Sequence, residues 1–278
     1  MELPYDVLVH ILRIAAISST TTATKLCLLS SEVDQIVRPL LYRKVVLIND
    51  RQVMAFAWTL KNCRHCKHAR IIRVLNLGGN ITFYPGMQLI ATKCENLEEL
   101  ACPEYWLVRG SYKIRDTIPA SGLSQLRYQC IINARTSPSL TVANPSVTHL
   151  HLIGPSTVAI QEMLKERDIP FKSLTHFYLE TLGRSSGGSF VGFSSTDIQG
   201  LFDILPSIEV IHVKLDVSCF SEDETRTVTR DLRMLETREP RLKLELNTKT
   251  KEMARNSVFG FSRLRITQAV SEVADEWE

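Results

Sequence analysis

Two stretches of the chain read almost alike: PSVTHLHLIG at 145–154 and FKSLTHFYLE at 171–180. Each carries an apolar residue, two variable residues, a second apolar residue, one variable residue and a third apolar residue. A phrase recurring at regular spacing constrains a fold more than composition does, because every copy must build the same unit and hide the same side. The phrase fits Ile72, Leu75 and Leu77; Leu97, Leu100 and Cys102; Leu123, Leu126 and Tyr128; Val147, Leu150 and Leu152; Leu174, Phe177 and Leu179; and Ile208, Ile211 and Val213. Its first positions, 72, 97, 123, 147, 174 and 208, lie 25, 26, 24, 27 and 34 residues apart. LKLEL at 242–246 is a seventh, degenerate copy.

The last two apolar positions of a copy are two apart, so on a strand they share one face and the residue between them points to the other. Between copies lie segments with apolar residues three or four apart: GMQLIATKCENL after Pro85, STVAIQEMLKERD from Ser156 and STDIQGLFDIL from Ser195. These read as helices. The long interval contains GRSSGGSFVGFSS at 183–195, a Gly/Ser-rich loop. A strand-helix unit cannot bury its apolar side alone, so the units are expected to stack. An α/β domain whose parallel strands carry similar phrases without true repetition is the alternative. Phrase and spacing resemble leucine-rich repeats, especially the irregular kind with helices on the convex side, over about residues 70–247. The resemblance implies an α/β solenoid with a parallel sheet, ended by a capping helix near SRLRITQAVSEVADEW.

A chain of 278 residues with 44% hydrophobic residues has material for a substantial core. The formal net charge of +3 gives no reason to expect a nucleic-acid partner. Seven scattered cysteines, an odd number, argue against a secreted disulfide framework. MELPYD carries acids where a signal peptide needs bases, and no apolar run approaches the roughly 20 residues that span a bilayer. The expectation is a soluble protein of the cytoplasm or nucleus with no membrane partner.

Residues 1–48 follow another logic. Leu3, Val7, Leu8, Ile11 and Leu12 recur at helical steps, with Pro4 and Asp6 in the first turn. A polar break, SSTTTAT at 18–24, precedes Leu26, Leu28 and Leu29. Ser31 and Asp34 offer a cap for a third helix with Val33, Ile36, Val37 and Leu40, which Pro39 should disturb before RKVVLI turns to strand. Three short helices make a small module that leaves apolar surface for a partner. LPYDVLVHIL, LCLLSS and RPLLYRKVVL together look like an F-box, as written in fungal F-box proteins. The resemblance implies a substrate receptor of a cullin-RING (SCF-type) ubiquitin ligase, not itself an enzyme. Its module at 1–48 would dock a Skp-type adaptor and so the cullin ligase core, and the repeats of 49–278 would hold a target protein of unknown identity. It places Leu3, Pro4, Leu8, Ile11, Leu12, Leu26 and Leu29 at the adaptor contact. The same residues also suit the core of a plain helical cap, and a repeat-built binding scaffold unconnected with ubiquitination is the rival function.

Target recognition would rest on the outward strand positions. One column reads Asn76, Ala101, Arg127, His151, Tyr178, His212 and Glu245; the column before it reads Val74, Glu99, Gln125, His149, His176, Val210 and Lys243. Arg127, His149, His151, His176, Tyr178 and His212 are the candidate target-binding residues, a polar and aromatic surface with histidines that would make binding pH-sensitive near neutrality. An ordinary solvated sheet face is the competing reading.

No metal or cofactor is expected. The histidines lack an evident carboxylate partner, and Cys63, Cys66 and His68 of CRHCKH have ligand-like spacing without a second ligand pair. From Arg51 to Cys94 there is no acid, so this segment reads as a basic linker or solvated helix face, or else as a basic patch for an acidic protein or a nucleic acid. No phosphate-binding Gly-rich loop with its Lys and no nucleophile elbow is present, and the carboxylates at 98–99 and 222–224 sit at polar positions. The latter group suits the start of a helix running through Leu232 and Leu235.

Overall fold

The apolar phrases lie on strands that pair in the order in which the chain makes them. The computed structural model describes residues 4–62, 68–81, 84–103, 126–132, 146–154, 173–180, 194–216 and 221–247. Its strands are β1 (Lys44–Asn49), β2 (Val74–Asn80), β3 (Glu99–Pro103), β4 (Tyr128–Ile132), β5 (His149–Ile153), β6 (His176–Glu180), β7 (Val210–Asp216) and β8 (Leu242–Asn247). They form one sheet, in the order β1 to β8, with every adjacent pair parallel. The order never reverses, so the sheet has none of the switch points at which doubly wound folds bind ligands.

Leu75, Leu100, Leu150, Phe177, Ile211 and Leu242 share one row of the core face and are all buried. The connecting helices pack onto this face. They are α4 (Asp50–Asn62), α6 (Tyr84–Lys93), α7 (Ser195–Ile204) and α8 (Glu222–Arg238), and their Val53, Ala57, Met87, Ile90, Ile198, Leu201, Leu232 and Leu235 join the same cluster. Each fully buried Leu or Ile contributes about 1.5–3 kcal/mol, so the sheet is held chiefly from this side. Helix starts follow local chemistry: Ser194 with Asp197, and Ser221 with Glu224, form capping boxes on α7 and α8.

Strand entry is fixed by a hydrogen-bond pattern that repeats from copy to copy. The Arg73 carbonyl accepts the Glu98 and Glu99 N–H groups, Glu98 those of Arg127 and Tyr128, Arg127 those of Thr148 and His149, Thr148 those of Thr175 and His176, and Thr175 those of Glu209 and Val210. The hydroxyls of Thr148 and Thr175 strengthen two of these steps by donating to the Arg127 and Thr148 carbonyls at 3.3 and 3.2 Å. β2 approaches β1 so closely at their bulge that a Cβ on Gly78 would stand 2.8 Å from Ile48 Cα, which requires glycine there.

Two copies sit in a different register from the one their sequence suggests. Glu99 pairs with Tyr128 and Leu100 with Gln129, so the third copy is Leu126, Gln129 and Ile131. Gln129 occupies a core place where the other copies have an apolar residue, and Leu123, Leu126 and Tyr128 imitate the phrase three residues early. At the far end Ile211 pairs with Leu242, which sets Lys243, not Glu245, beside His212.

The amino-terminal helices α1 (Tyr5–Ser18), α2 (Thr20–Leu26) and α3 (Ser31–Arg43) hold a separate small cluster of Leu12, Ala16, Ala23 and Val37. The segment read as a polar break is largely α2, because Ser19 caps it by accepting the Thr22 N–H and Ala23 supplies a buried contact. α3 is capped by Ser30 and runs through Pro39 to Arg43. Packing of Leu40 and Leu41 on the small cluster offsets the lost hydrogen bond. β1 begins at Lys44, inside the segment assigned to the helical module, and belongs to the sheet. Of the segment from Arg51 read as a basic linker or solvated helix face, Asp50–Asn62 form α4, and His68–Ile71 form the one-turn α5. The helix expected from Ser156, most of the Gly/Ser loop, the carboxy-terminal capping helix, Cys63 and Cys66 lie outside the described residues.

Candidate functional site

Parallel pairing brings the outward residues into rows. One row is Glu99, Tyr128, His149, His176 and Val210; the next is Ala101, Cys130, His151, Tyr178, His212 and Lys243; a third is Ile153, Glu180, Lys214 and Glu245. Five of the six expected target-binding residues therefore meet on β5 to β7. Arg127 does not: it precedes β4, is exposed, and serves the sheet through its carbonyl. Tyr128 takes a place on this face that the misread register concealed.

The assembled side chains form a connected polar network. Tyr128 Oη lies 3.0 Å from His151 Nδ1, and His151 Nε2 lies 3.5 Å from Glu180 Oε2. Nδ1 accepting from the tyrosine, with Nε2–H turned to the carboxylate, suits both neighbours. Lys214 Nζ stands 4.0 Å from Glu180 and 3.7 Å from Glu245, which is 3.6 Å from His212 Nε2. The Tyr178 ring lies between the rings of His151 and His212, with centroids 5.7 and 5.6 Å away. Much of this face is closed to solvent, contrary to the accessible surface expected. Tyr128 is 9% exposed, His151 4%, Tyr178 8% and Glu180 9%. The open part is at the β7–β8 end, where the Lys214 and Glu245 side chains are 31% and 50% exposed.

His149 and His176 stack with centroids 4.5 Å apart and planes 6° from parallel. Their Nδ1 atoms lie 2.7 and 2.8 Å from the hydroxyls of Thr148 and Thr175. Each hydroxyl proton goes to a carbonyl of the preceding strand entry, so the oxygen accepts Nδ1–H and Nε2 carries the lone pair. Burial and the neighbouring His176 push His149 down to about 4, and burial also lowers His176 against the opposing pull of Glu209. His149 is therefore neutral at pH 7 and is not the near-neutral pH sensor its sequence suggested. The pair makes no chelate either. Each lone pair lies in its own ring plane, and two nearly parallel planes do not meet at one ion. Among the described residues no group of three or more His, Cys, Asp or Glu is placed to hold a metal. Burial pushes the Cys94 and Cys102 thiols up to about 12, which removes them from nucleophilic chemistry near pH 7.

A second site lies on the helical module. On α1, Leu12 and Ala16 are buried while Val7, Ile11, Ile14 and Ile17 on the far side are exposed, Ile11 by 48% and Ile17 by 73%, as is Leu8 one turn before Leu12. Leu28 and Leu29 follow α2 at 82% and 69% exposure. Of the expected adaptor contacts, Leu8, Ile11 and Leu29 are thus exposed, as is Pro4 at the α1 N-cap. Leu12 and Leu26 belong to the small interior cluster instead, and Leu3 lies outside the described residues. Ile14 and Ile17 were missed, although their signal is in the sequence: α1 is apolar on two faces, more than one interior contact requires. No described helix is long and apolar enough to cross a membrane. No protein-family model matches the chain, and no curated protein matches it.

Proposed function

We propose that this chain is a substrate receptor of the F-box kind in a cullin-RING ubiquitin ligase, with α1 to α3 docking a Skp-type adaptor and the repeat-like sheet holding the target protein. One observation carries the reading. α1 presents an apolar stripe of Val7, Ile11, Ile14 and Ile17 on the side away from its own cluster, Leu8 is exposed one turn before the buried Leu12, and Leu28 and Leu29 stand exposed beyond α2. An unpartnered apolar stripe of this kind is the surface by which an amphipathic helix lies in a partner's groove. Sequential parallel strands with helices on one face suit an irregular leucine-rich-repeat architecture, whose other face carries recognition, here at its open end. On that face the target meets the open β7–β8 end, at His212, Lys214, Lys243 and Glu245, while the buried Tyr128, His151 and Glu180 hold the surface in shape.

The test is co-purification of the full chain with a Skp-type adaptor. Wild type is expected to bind, and Leu8→Asp with Ile11→Asp is expected to abolish binding without lowering the melting temperature, since neither side chain is in the cluster. Leu12→Ala is the contrasting variant: it is expected to cost about 2–5 kcal/mol of module stability because it opens a cavity. If wild type fails to bind the adaptor, the ligase reading falls and the binding-scaffold reading stands.

A further inference from the structure

The helix α4 has a second face that the sheet does not use. Val53, Ala57 and Leu60 are buried against the core. Arg51, Met54, Ala55, Trp58, Lys61 and Asn62 fall on the opposite side at steps of three and four, and all are exposed. Trp58 is 68% exposed and Met54 46%, one turn apart. Tryptophan is the side chain that most often anchors an interface, and Met adapts to irregular apolar partners.

Past Asp50, which opens the helix one turn before Met54, the charges along this stripe have one sign. Between Arg51 and Cys94 the chain has no acidic residue. Arg70 and Arg73 are partly answered by Glu95 and Glu98 at 3.6 Å, from beyond that stretch. Arg51 and Lys61, which bracket Met54 and Trp58, make no ion pair among the described residues. We propose that this stripe docks an acidic protein segment that lays an apolar side chain over Trp58 and Met54 between flanking carboxylates. A nucleic acid would also stack on an exposed tryptophan, but phosphate binding draws on a longer run of unpaired cations than the two placed here. The proposal does not depend on the adaptor site, because α1 and α4 use different residues.

The experiment uses the full chain with Trp106 and Trp277 changed to Phe, so that Trp58, one of three tryptophans, reports alone. The probe is a synthetic peptide with glutamates flanking a central Leu-Phe pair. Its controls are the same peptide with lysines for glutamates, the same peptide with alanines for Leu-Phe, and a thymidine oligonucleotide. The expected result is a saturable blue shift of Trp58 emission with the acidic peptide alone, weakened by salt. In a labelled-peptide titration Trp58→Ala is expected to weaken binding about tenfold or more. Arg51→Glu with Lys61→Glu should transfer preference to the lysine peptide, a gain that a misfolded variant would not show. Leu8→Asp with Ile11→Asp should leave peptide binding unchanged. No shift with the acidic peptide, unchanged affinity in Trp58→Ala, or preference for the oligonucleotide each overturns the proposal.

Discussion

The hydroxyl of Tyr128 on β4 stands 3.0 Å from Nδ1 of His151 on β5, whose Nε2 faces the Glu180 carboxylate on β6 at 3.5 Å. Three consecutive strands are thereby cross-linked on the outer face, where the core cannot reach. Both partners of the shorter contact are buried, so removing the hydroxyl leaves a ring nitrogen without the group that satisfies it. Tyr128→Phe is expected to lower unfolding free energy by about 1–3 kcal/mol, measured by urea denaturation. A variant as stable as wild type would show that the contact contributes nothing to stability.

The stacked imidazoles give the protein an acid sensitivity of known sign. His149 titrates in the folded chain at about 4 against a usual 6.5, and His176 is also lowered. The unfolded chain therefore binds protons first. Their contribution is complete above pH 6.5 and is lost as the pH falls toward 4. His149→Gln with His176→Gln is expected to flatten the fall in stability over that window, with Lys243 and Glu209 still present beside the pair. An unchanged slope would place the acid sensitivity elsewhere.

The sheet was legible because every copy must bury the same two strand positions, and first places such as Val147, Leu174 and Ile208 fall just before adjacent strands, each two residues ahead of its own. Register failed where a copy departs from the phrase. Gln129 hid the true third copy, so Arg127 was given a place that belongs to Cys130, and short LKLEL fitted two alignments equally well. Burial of the outer face was illegible for another reason. Alternation tells which face a residue takes, not what lies over it, so His151 and Tyr178 read as open surface. The second of the three expected helices was placed too late, around Leu26 to Leu29, because threonines score as loop formers, whereas the Ser19 cap and the Ala23 contact start it at Thr20.

β8 is the last strand of the described sheet, and an unpaired parallel edge invites further pairing. Glu236 of α8 answers this by accepting the Leu244 N–H at 2.9 Å. Burial alone would raise its carboxyl, but that N–H and Arg233 outweigh burial and hold it below 4.5. The bond is thus intact above pH 4.5 and weakens as the pH falls through the folded value. Glu236→Ala is expected to cost about 1 kcal/mol and to speed aggregation at pH 7, read by light scattering. Wild-type stability together with wild-type solubility would count against an edge-capping role.

Gln129 stands in the core row between Leu100 of β3 and Leu150 of β5, 1% exposed, with no hydrogen-bond partner for Oε1 among the described residues. A buried acceptor left unmet forfeits its hydration without recompense, whereas leucine would bury as the neighbouring leucines do. Gln129→Leu is therefore expected to raise unfolding free energy by about 1–2 kcal/mol, seen as a higher denaturation midpoint at unchanged slope. Gln129→Glu is expected to destabilise strongly, because it would place a carboxylate among leucines with nothing to pair it. The two variants separate the explanations. If leucine destabilises, Oε1 has a bound water as its partner and the glutamine belongs to the packing of the third copy; if leucine stabilises, the departure from the phrase is a strain that the stacked copies on either side are strong enough to carry.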